Sequence, residues 1–367
     1  MKYGRAGSLI LAFVLAAVGA FAPAQAKNSA KDWNFAVSGD SRNCGDVIMP
    51  TIAAGAHDHN AAFYWHLGDL RAIFAPDEDY LHQPEHRGLP PNVEQYLNSA
   101  WDDFIQSQIN AFGETPFYVG IGNHETIKPK DREQFVAKFS RWLDAPPLRK
   151  QRLADNHGQQ VTAYFHWIQG GVDFVYLDNA TPEQFDPAQV AWFEGVLRRA
   201  RNNSHVRAVV VGMHEALPDS LAFGHSMSDF PLGIQSGRQV YTDLLKFNHE
   251  SRKHVYILAS HSHFYMSDLF DSDYWNAHGG VLPGWIVGTA GAMRYPLPPA
   301  ASRAKDARQK IYGYLVGTVH PDGSIDFNFH EVKRGDIPDA VAQRYTPEFT
   351  DYCFDRNTDF KTAISKQ

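Results

Sequence analysis

Residue types that bind metal ions follow short apolar runs along this chain. The clearest case is His261 and His263, which come directly after the apolar run 255–259. A strand end can carry such a pair for local reasons, with one imidazole packed inside and the other facing water. Neutral imidazole is also the commonest metal ligand in proteins. The pair therefore predicts either a simple strand end or part of a metal site, and the rest of the chain decides between them.

Other candidate ligands stand at the ends of similar runs. Four runs have the pattern of buried strands and end in such residues: 33–37, 62–67, 117–121 and 206–213, followed by Asp40, Asp69, Asn123 with His124, and His214. Helical patterns at 186–200 and 240–250 alternate with the strands, which is typical of an α/β sheet. Ligands in such sheets bind at the carboxyl ends of the strands, so we expect these side chains to converge on one crevice.

The order of these motifs resembles that of the calcineurin-like metallophosphoesterase family. The chain carries "SGD" at 38–40, "LGD" at 67–69, "GNHE" at 122–125, "GMHE" at 212–215, "SHSH" at 260–263 and "VGTAGA" at 287–292. The resemblance covers roughly residues 33–333. It implies an α/β fold arranged as a four-layer α/β/β/α sandwich, with metal ions at the strand ends. It also implies hydrolysis of a phosphate mono- or diester by a metal-activated water molecule.

The resemblance assigns a role to each motif residue. Asp69 would bridge two divalent metal ions, and His124 would bind the phosphate or protonate the leaving oxygen. One ion would be completed by Asn123, His214 and His261, and the other by Asp40 and His263. Mixed Asp, Asn and His ligands suit Mn, Fe or Zn. Since side chains two apart in an extended strand face the same way, both imidazoles of the pair could reach the crevice.

Arg42 departs from the family pattern. The first motif of the family is usually D-x-H, and here it is Asp40-Ser41-Arg42. Arginine has no lone pair to give to a metal ion. The Asp40 site is then either weak or empty, with Arg42 contributing to catalysis as a cation beside the phosphate. Alternatively, Arg42 lies on the surface outside the site, or the protein binds metal or phosphate ligands without turnover. Ala72 stands where purple acid phosphatases have a metal-binding tyrosine, which argues against a purple iron site.

The ends of the chain have a different character. Residues 1–26 combine Lys2 and Arg5, an apolar run and an A-x-A motif, which predicts a secretory signal peptide. We therefore expect export to the periplasm or the extracellular space. A catalytic domain is predicted over 27–334, with an insertion at about 75–115 near the site, followed by a C-terminal tail at 335–367. No later run is long and apolar enough to predict a transmembrane segment.

Charge and cysteine content limit the partners. The 34 basic and 41 acidic residues give a net charge of −7 without a basic run, so no nucleic acid partner is expected. The predicted partner is a small-molecule or lipid phosphate ester. The loops 75–115 and 216–237 would select it, with His82, His86 and His225 as possible contacts. The two cysteines, Cys44 and Cys353, form either one disulfide or two buried thiols.

Overall fold

Two β-sheets form the centre of the structure, a computed structural model that describes Met1 and residues 31–180, 184–222 and 224–358. The first sheet has the strand order β12-β11-β1-β2-β3. Its strands are β1 (Trp33–Ser38), β2 (Ala61–His66), β3 (Phe117–Val119), β11 (Tyr312–Val319) and β12 (Ile325–Val332). The strands β1, β2 and β3 are parallel, whereas β11 and β12 form an antiparallel hairpin against β1.

The second sheet has the order β10-β8-β9-β7-β6-β5-β4. Its strands are β4 (Phe165–Gln169), β5 (Val172–Leu177), β6 (Ala208–Met213), β7 (His254–Ala259), β8 (Tyr265–Met266), β9 (Gly284–Val287) and β10 (Ala307–Arg308). The central strands β5, β6, β7 and β9 are parallel. The predicted hairpin at Gly170-Gly171 is confirmed by the antiparallel pair β4 and β5.

Aromatic side chains fill the space between the sheets. Phe35 and Phe63 of the first sheet stack on each other, and both contact Phe174 of the second sheet edge-to-face at 5.1 Å between ring centroids. Such rings bury a large apolar area and favour offset or edge-to-face pairs. They join the two sheets face to face through one continuous core.

Helices cover the outer faces of both sheets. They are α1 (Gly45–Asp58), α2 (Glu78–His82), α3 (Val93–Ser107), α4 (Arg132–Lys138), α5 (Ser140–Leu143), α6 (Pro146–Asp155), α7 (Pro187–Asn202), α8 (Pro231–Ser251), α9 (Asp273–Ala277), α10 (Asp339–Tyr345) and α11 (Pro347–Asp355). Phe193 of α7 and Leu244 of α8 pack with Val211 and Ile257 of the second sheet in a second core. The predicted four-layer α/β/β/α sandwich is confirmed.

Helix α7 shows how local sequence sets these elements. Asp186 precedes it and accepts a hydrogen bond from the backbone N–H of Gln189 at 2.9 Å, and Pro187 is its first residue. Aspartate is preferred before a helix because its carboxylate accepts a hydrogen bond from a free backbone N–H. Proline is preferred at the first helical position because it has no backbone N–H that needs a partner.

Within residues 31–180, 184–222 and 224–358, no helix has the length and apolar character needed to cross a membrane.

The segment predicted as a C-terminal tail is in part helical and packs on the rest of the fold. Cys353 of α11 forms a disulfide with Cys44, so the paired alternative for the two cysteines is the observed one. Asn357 donates from its amide to the carbonyl of Gly291 at 3.1 Å. Tyr345 donates from its hydroxyl to Asp46 at 2.8 Å. Residues 339–358 therefore support the loops that follow β1 and β9. The predicted signal peptide lies outside the described residues apart from Met1.

Candidate metal centre

Two groups of potential metal ligands meet at the carboxyl ends of the strands. One consists of Asp69, His214 and His261, and the other of Asp40, Asp69 and His263. Within each group the donor atoms lie within 4.8 Å of one another. Asp69 belongs to both groups, whereas the two histidines of the H-x-H motif separate, one into each. Loops from both sheets contribute, because Asp40 and Asp69 follow β1 and β2 while the histidines follow β6 and β7.

Glu125 holds the loop that carries Asp69. Its carboxylate accepts hydrogen bonds from the backbone N–H groups of Asp69, Leu70 and Gly122, at 2.9, 2.9 and 2.8 Å. Gly122 is needed for this close approach, since a Cβ there would lie 2.3 Å from Oδ1 of Asp69. The glycine and the glutamate of "GNHE" therefore fix the backbone around the shared carboxylate, a role that the sequence did not reveal.

Three of the candidate ligands adopt left-handed backbone conformations. The φ angles of Asp40, Asp69 and His261 are 60°, 59° and 67°. Such conformations are costly for residues other than glycine and occur where surrounding structure enforces them, often at functional sites. The backbone of His261 differs from the extended strand that the sequence predicted. Strand β7 ends at Ala259, and both histidines of the H-x-H pair lie beyond it. A turn, rather than the alternation of an extended strand, directs the two imidazoles.

Backbone carbonyls fix the tautomer of two of the ligand histidines, His214 and His263. Nδ1 of His214 lies 3.0 Å from the carbonyl oxygen of Leu67, and Nδ1 of His263 lies 2.6 Å from that of Met293. A carbonyl oxygen only accepts hydrogen bonds, so each Nδ1 must carry the proton. In the neutral rings, Nε2 of both side chains then carries a lone pair that is directed into the site. A backbone partner for the outer nitrogen is typical of histidines that bind metal ions.

The first group brings oxygen and nitrogen donor atoms together around Nε2 of His214. Nε2 of His214 lies 2.9 Å from Oδ1 of Asn123, 3.1 Å from Nδ1 of His261 and 3.3 Å from Oδ1 of Asp69. Oδ2 of Asp69 is buried and makes no hydrogen bond to any residue the structure describes. A cation between these donor atoms would be bound by several of their lone pairs at once. These residues therefore fit a divalent metal ion, and their nitrogen and oxygen donors suit Mn, Fe or Zn.

Asp40 anchors the second group. Its carboxylate accepts hydrogen bonds from the hydroxyl of Ser260 and from the backbone N–H of His261, and Oδ1 lies 3.2 Å from Nε2 of His263. Burial alone would raise the pKa of Asp40, but His263, His214 and the Ser260 hydroxyl hold it well below its usual value. Asp40 is therefore a carboxylate at neutral pH, as a metal ligand must be.

Arg42 points into the second group and not toward the surface. Nη2 of its guanidinium lies 3.2 Å from Nε2 of His263, and Nε lies 3.5 Å from Oδ2 of Asp69. Its side chain is 12% exposed. Burial opposes the charge, but Asp69, Tyr295 and Asp40 raise the pKa of Arg42 above its ordinary value, so it stays a cation. The alternative of a surface arginine outside the site is wrong.

His124 contacts both oxygens of the Asp69 carboxylate. Its backbone N–H donates to Oδ1 of Asp69 at 3.0 Å, and its Nδ1 donates to the carbonyl of Ala72 at 2.6 Å. Nε2 is thereby left facing the site, 3.6 Å from Oδ2 of Asp69. Burial and Arg42 lower the pKa of His124 to about 4, so the ring is neutral at neutral pH. All predicted site residues are thus brought together.

The more remote candidates divide into two kinds. The ring centroid of His225 lies 5.7 Å from that of His261, at the edge of the site. His82 and His86 instead stack on Phe349 and Tyr80, within the helices around α2. One residue that the sequence did not indicate is Tyr295, whose ring centroid lies 4.0 Å from that of His263 and whose side chain interacts with Arg42. No local motif marks Tyr295, because its segment is a proline-rich loop.

The arrangement of two sheets, outer helices and donors at strand ends is the metallophosphoesterase fold. A solved structure of PhoD matches 92% of this chain and 78% of its own length, with a TM-score of 0.53 and 13% sequence identity. The purple acid phosphatase PPD1 from yellow lupin (Lupinus luteus) seeds matches 84% of this chain and 55% of its own, with a TM-score of 0.49 and 14% identity. No family model and no curated protein sequence matches the chain. At 13% identity, the similarity to PhoD establishes the fold alone.

Proposed function

We propose that this protein is a metal-dependent phosphoesterase that hydrolyses a phosphate mono- or diester. The observation that carries the proposal is the position of Asp69, whose carboxylate belongs to two donor groups at once. A carboxylate shared in this way suits two neighbouring cations, which is the arrangement that two-metal hydrolases use. Loops that follow strands of both sheets bring the two donor groups together around this carboxylate.

The two groups differ in the strength with which they would hold a metal ion. Asp69, Asn123, His214 and His261 offer four donors, and Arg42 approaches this set at Asp69, with Nε 3.5 Å from Oδ2. Asp40 and His263 offer only two donors besides the shared Asp69, and Nη2 of Arg42 lies 3.2 Å from Nε2 of His263. We therefore assign the stronger site to the first set. These four residues would hold a divalent ion, whose chemistry when bound would be to polarise a phosphoryl group and to lower the pKa of a water molecule.

The chain's own residues then bind and orient the ester. Arg42 donates hydrogen bonds from its guanidinium to phosphoryl oxygens and neutralises their charge, as arginine commonly does at phosphate sites. Nε2 of His124 lies 3.6 Å from Oδ2 of Asp69, the same oxygen that Nε of Arg42 approaches at 3.5 Å. A bound phosphate favours the protonated imidazole electrostatically. His124 can then give this proton to the leaving oxygen, and the carbonyl of Ala72 keeps the ring oriented.

The cellular location in this proposal is outside the cytoplasm. Its basis is the signal peptide predicted at residues 1–26, together with the disulfide between Cys44 and Cys353. Disulfides persist in oxidising compartments and are rare in the cytosol. A chain expressed with residues 1–26 should lose them on export, which mass spectrometry of the mature amino terminus would detect.

The direct test is metal-dependent hydrolysis by the mature protein. The chain is stripped with a chelator and assayed against phosphate mono- and diesters after addition of Mn, Fe, Zn or Mg. We expect no turnover in the stripped protein and recovery with at least one of the first three ions. Equal activity with and without metal would refute the proposal.

A second candidate function is metal-dependent binding of a phosphate ligand without turnover. The observation that favours it is Arg42, which occupies the position of a family metal ligand and faces His263. A binding protein would hold metal and inorganic phosphate, measured by calorimetry, yet release no product from any ester in the same panel. Product release that depends on His124 would exclude it.

A further inference from the structure

An apolar groove opens beside the candidate metal centre. It has a volume of about 750 Å³. Its lining includes Ala222 and Phe264, which are 1% and 2% exposed, and the segment 295–299, which reads Tyr-Pro-Leu-Pro-Pro. Three prolines in five residues restrict the backbone of this segment, so the groove has a stiff wall. The volume is within the range of pockets that bind small molecules.

The groove adjoins the metal centre through two ring contacts. Tyr295 stacks against His263, with 4.0 Å between ring centroids, and its backbone N–H donates to the carbonyl of His263 at 3.1 Å. His225 lies 5.0 Å from Tyr295 and 5.7 Å from His261, again between centroids. Ser262, between the two ligand histidines, also lines the groove. One side of the groove therefore lies next to the two ligand histidines, His261 and His263.

Apolar side chains form most of the groove lining. None of the lining residues within the described chain is acidic. Nη1 and Nη2 of Arg294 donate to the carbonyls of Lys310 and Phe354. Lys310 is exposed and has the only other permanent charge among the described lining residues. The remaining surface is formed mainly by Phe264, Leu297 and the prolines.

We infer that this groove holds the alcohol part of the ester, and that the substrate is an alkyl phosphate with a long apolar chain. The inference rests on the proposed function, because the phosphate must sit at the metal centre for the chain to enter the groove. Burying a methylene removes apolar area from water and stabilises the complex. Complete burial is worth about fourfold in affinity per methylene, and partial burial about twofold.

A series of primary alkyl phosphates tests the inference. From ethyl to octyl phosphate the leaving alcohol keeps the same chemistry, and only the apolar length changes. We expect kcat/KM to rise about two- to fourfold per methylene until the groove is filled. Leu297→Asp places a charge in the wall and should flatten this dependence while ethyl phosphate is still hydrolysed. Leu153→Asp, at an exposed leucine on α6 outside the groove, should leave the dependence as in the wild type.

Binding without turnover separates this inference from the proposed function. Ethyl- and octylphosphonate, whose P–C bond is not hydrolysed, are titrated into the metal-loaded protein by calorimetry. Tighter binding of octylphosphonate that Leu297→Asp abolishes supports the groove even if no ester is hydrolysed. Hydrolysis or binding that is independent of the length of the alkyl chain would overturn the groove assignment. It would not contradict the proposed phosphoesterase function.

The chain's own terminus provides one competing occupant. Thr358 lines the groove and is followed by residues 359–367. The phosphonate titration is therefore repeated with a chain that ends at Thr358. If chain-length dependence appears only in the shortened protein, the terminus occupies the groove and the inference is wrong. The same dependence in both proteins supports it.

Discussion

Nη2 of Arg42 lies 3.2 Å from Nε2 of His263, the atom that would otherwise be free to bind a metal ion. The carbonyl of Met293 accepts a hydrogen bond from Nδ1–H, so Nε2 has a lone pair that the guanidinium faces directly. A permanent cation at this distance repels a divalent ion and competes with it for the same ligands. The Asp40 group is thus the weaker of the two, and the protein should hold one metal ion tightly.

Replacing Arg42 by histidine should strengthen this weaker site. Arg42→His removes the cation and adds a nitrogen donor, so we expect metal content to rise from one toward two ions per chain. Arg42→Ala removes the cation without adding a donor and should produce a smaller rise. Both are measured by inductively coupled plasma mass spectrometry after equilibration with the same excess of Mn. Two ions already bound to the wild type would contradict the assignment.

His124 should matter for turnover and not for metal binding. His124→Ala should keep the metal content of the wild type and lower kcat by about 10²- to 10⁴-fold, the usual effect of losing an acid or base. The defect should be larger for alkyl esters than for p-nitrophenyl esters, because a poor leaving group needs the proton more. An equal defect for both esters would mean that His124 positions the phosphate and protonates nothing.

Glu125 should act on the metal through the backbone of Asp69. Its two carboxylate oxygens accept from three backbone N–H groups, and Glu125→Gln replaces one oxygen by an NH₂ group that cannot accept. We expect metal affinity to fall by about 10- to 100-fold, as for other residues that orient ligands. Glu114→Gln makes the same change at an exposed position and should have no effect. Affinity is measured by competition with a chromophoric chelator.

The buried side chain of His166 should make the free energy of unfolding depend on pH. Burial would lower the pKa of His166, but Asp173 and Asp155 on either side raise it to about 9. A raised pKa means that the stabilisation is complete below the unfolded value of about 6.5 and is lost as pH rises through 9. The free energy of unfolding should therefore fall by about 2–3 kcal/mol between pH 6.5 and 9.

Urea unfolding of two histidine variants measures this contribution. His166→Gln should be less stable than the wild type at pH 6.5 and should lose most of the fall toward pH 9. His320 also lies between two aspartates, Asp32 and Asp326, but on the surface, where such pairs contribute little. His320→Gln should keep the wild-type pH dependence. An unchanged fall in His166→Gln would show that another group causes it.

Much of the fold could be predicted because its elements are encoded locally. The apolar runs before Asp40, Asp69, Asn123, His214 and His261 all form strands, since each run is continuous and ends at a turn signal. Parallel strands in α/β sheets bring such ends together, so the convergence of these side chains followed from the pattern. The division of the H-x-H pair between two donor groups was implied by the family resemblance and agrees with the observed geometry.

The remaining features depend on contacts between distant parts of the chain. Arg42 and His263 are separated by 221 positions, so the sequence left open whether the arginine lies in the site or on the surface. The pairing of Cys44 with Cys353 spans 309 positions and stayed open for the same reason. Tyr295 reaches His263 from a loop that has no hydrophobic period. Only tertiary packing determines these three relationships.

Asp69 gives the most direct test, because it is the residue common to both donor groups. Asp69→Asn keeps the size of the side chain and tolerates the left-handed backbone at this position, but removes the charge. Asp219→Asn is the matched control, since Asp219 has the same φ of 59° and belongs to neither group. The measurement is metal content per chain together with ester hydrolysis, under one excess of Mn. We predict that Asp69→Asn loses nearly all bound metal and all measurable turnover while Asp219→Asn keeps both. Full metal content with normal turnover in Asp69→Asn would contradict the shared metal centre.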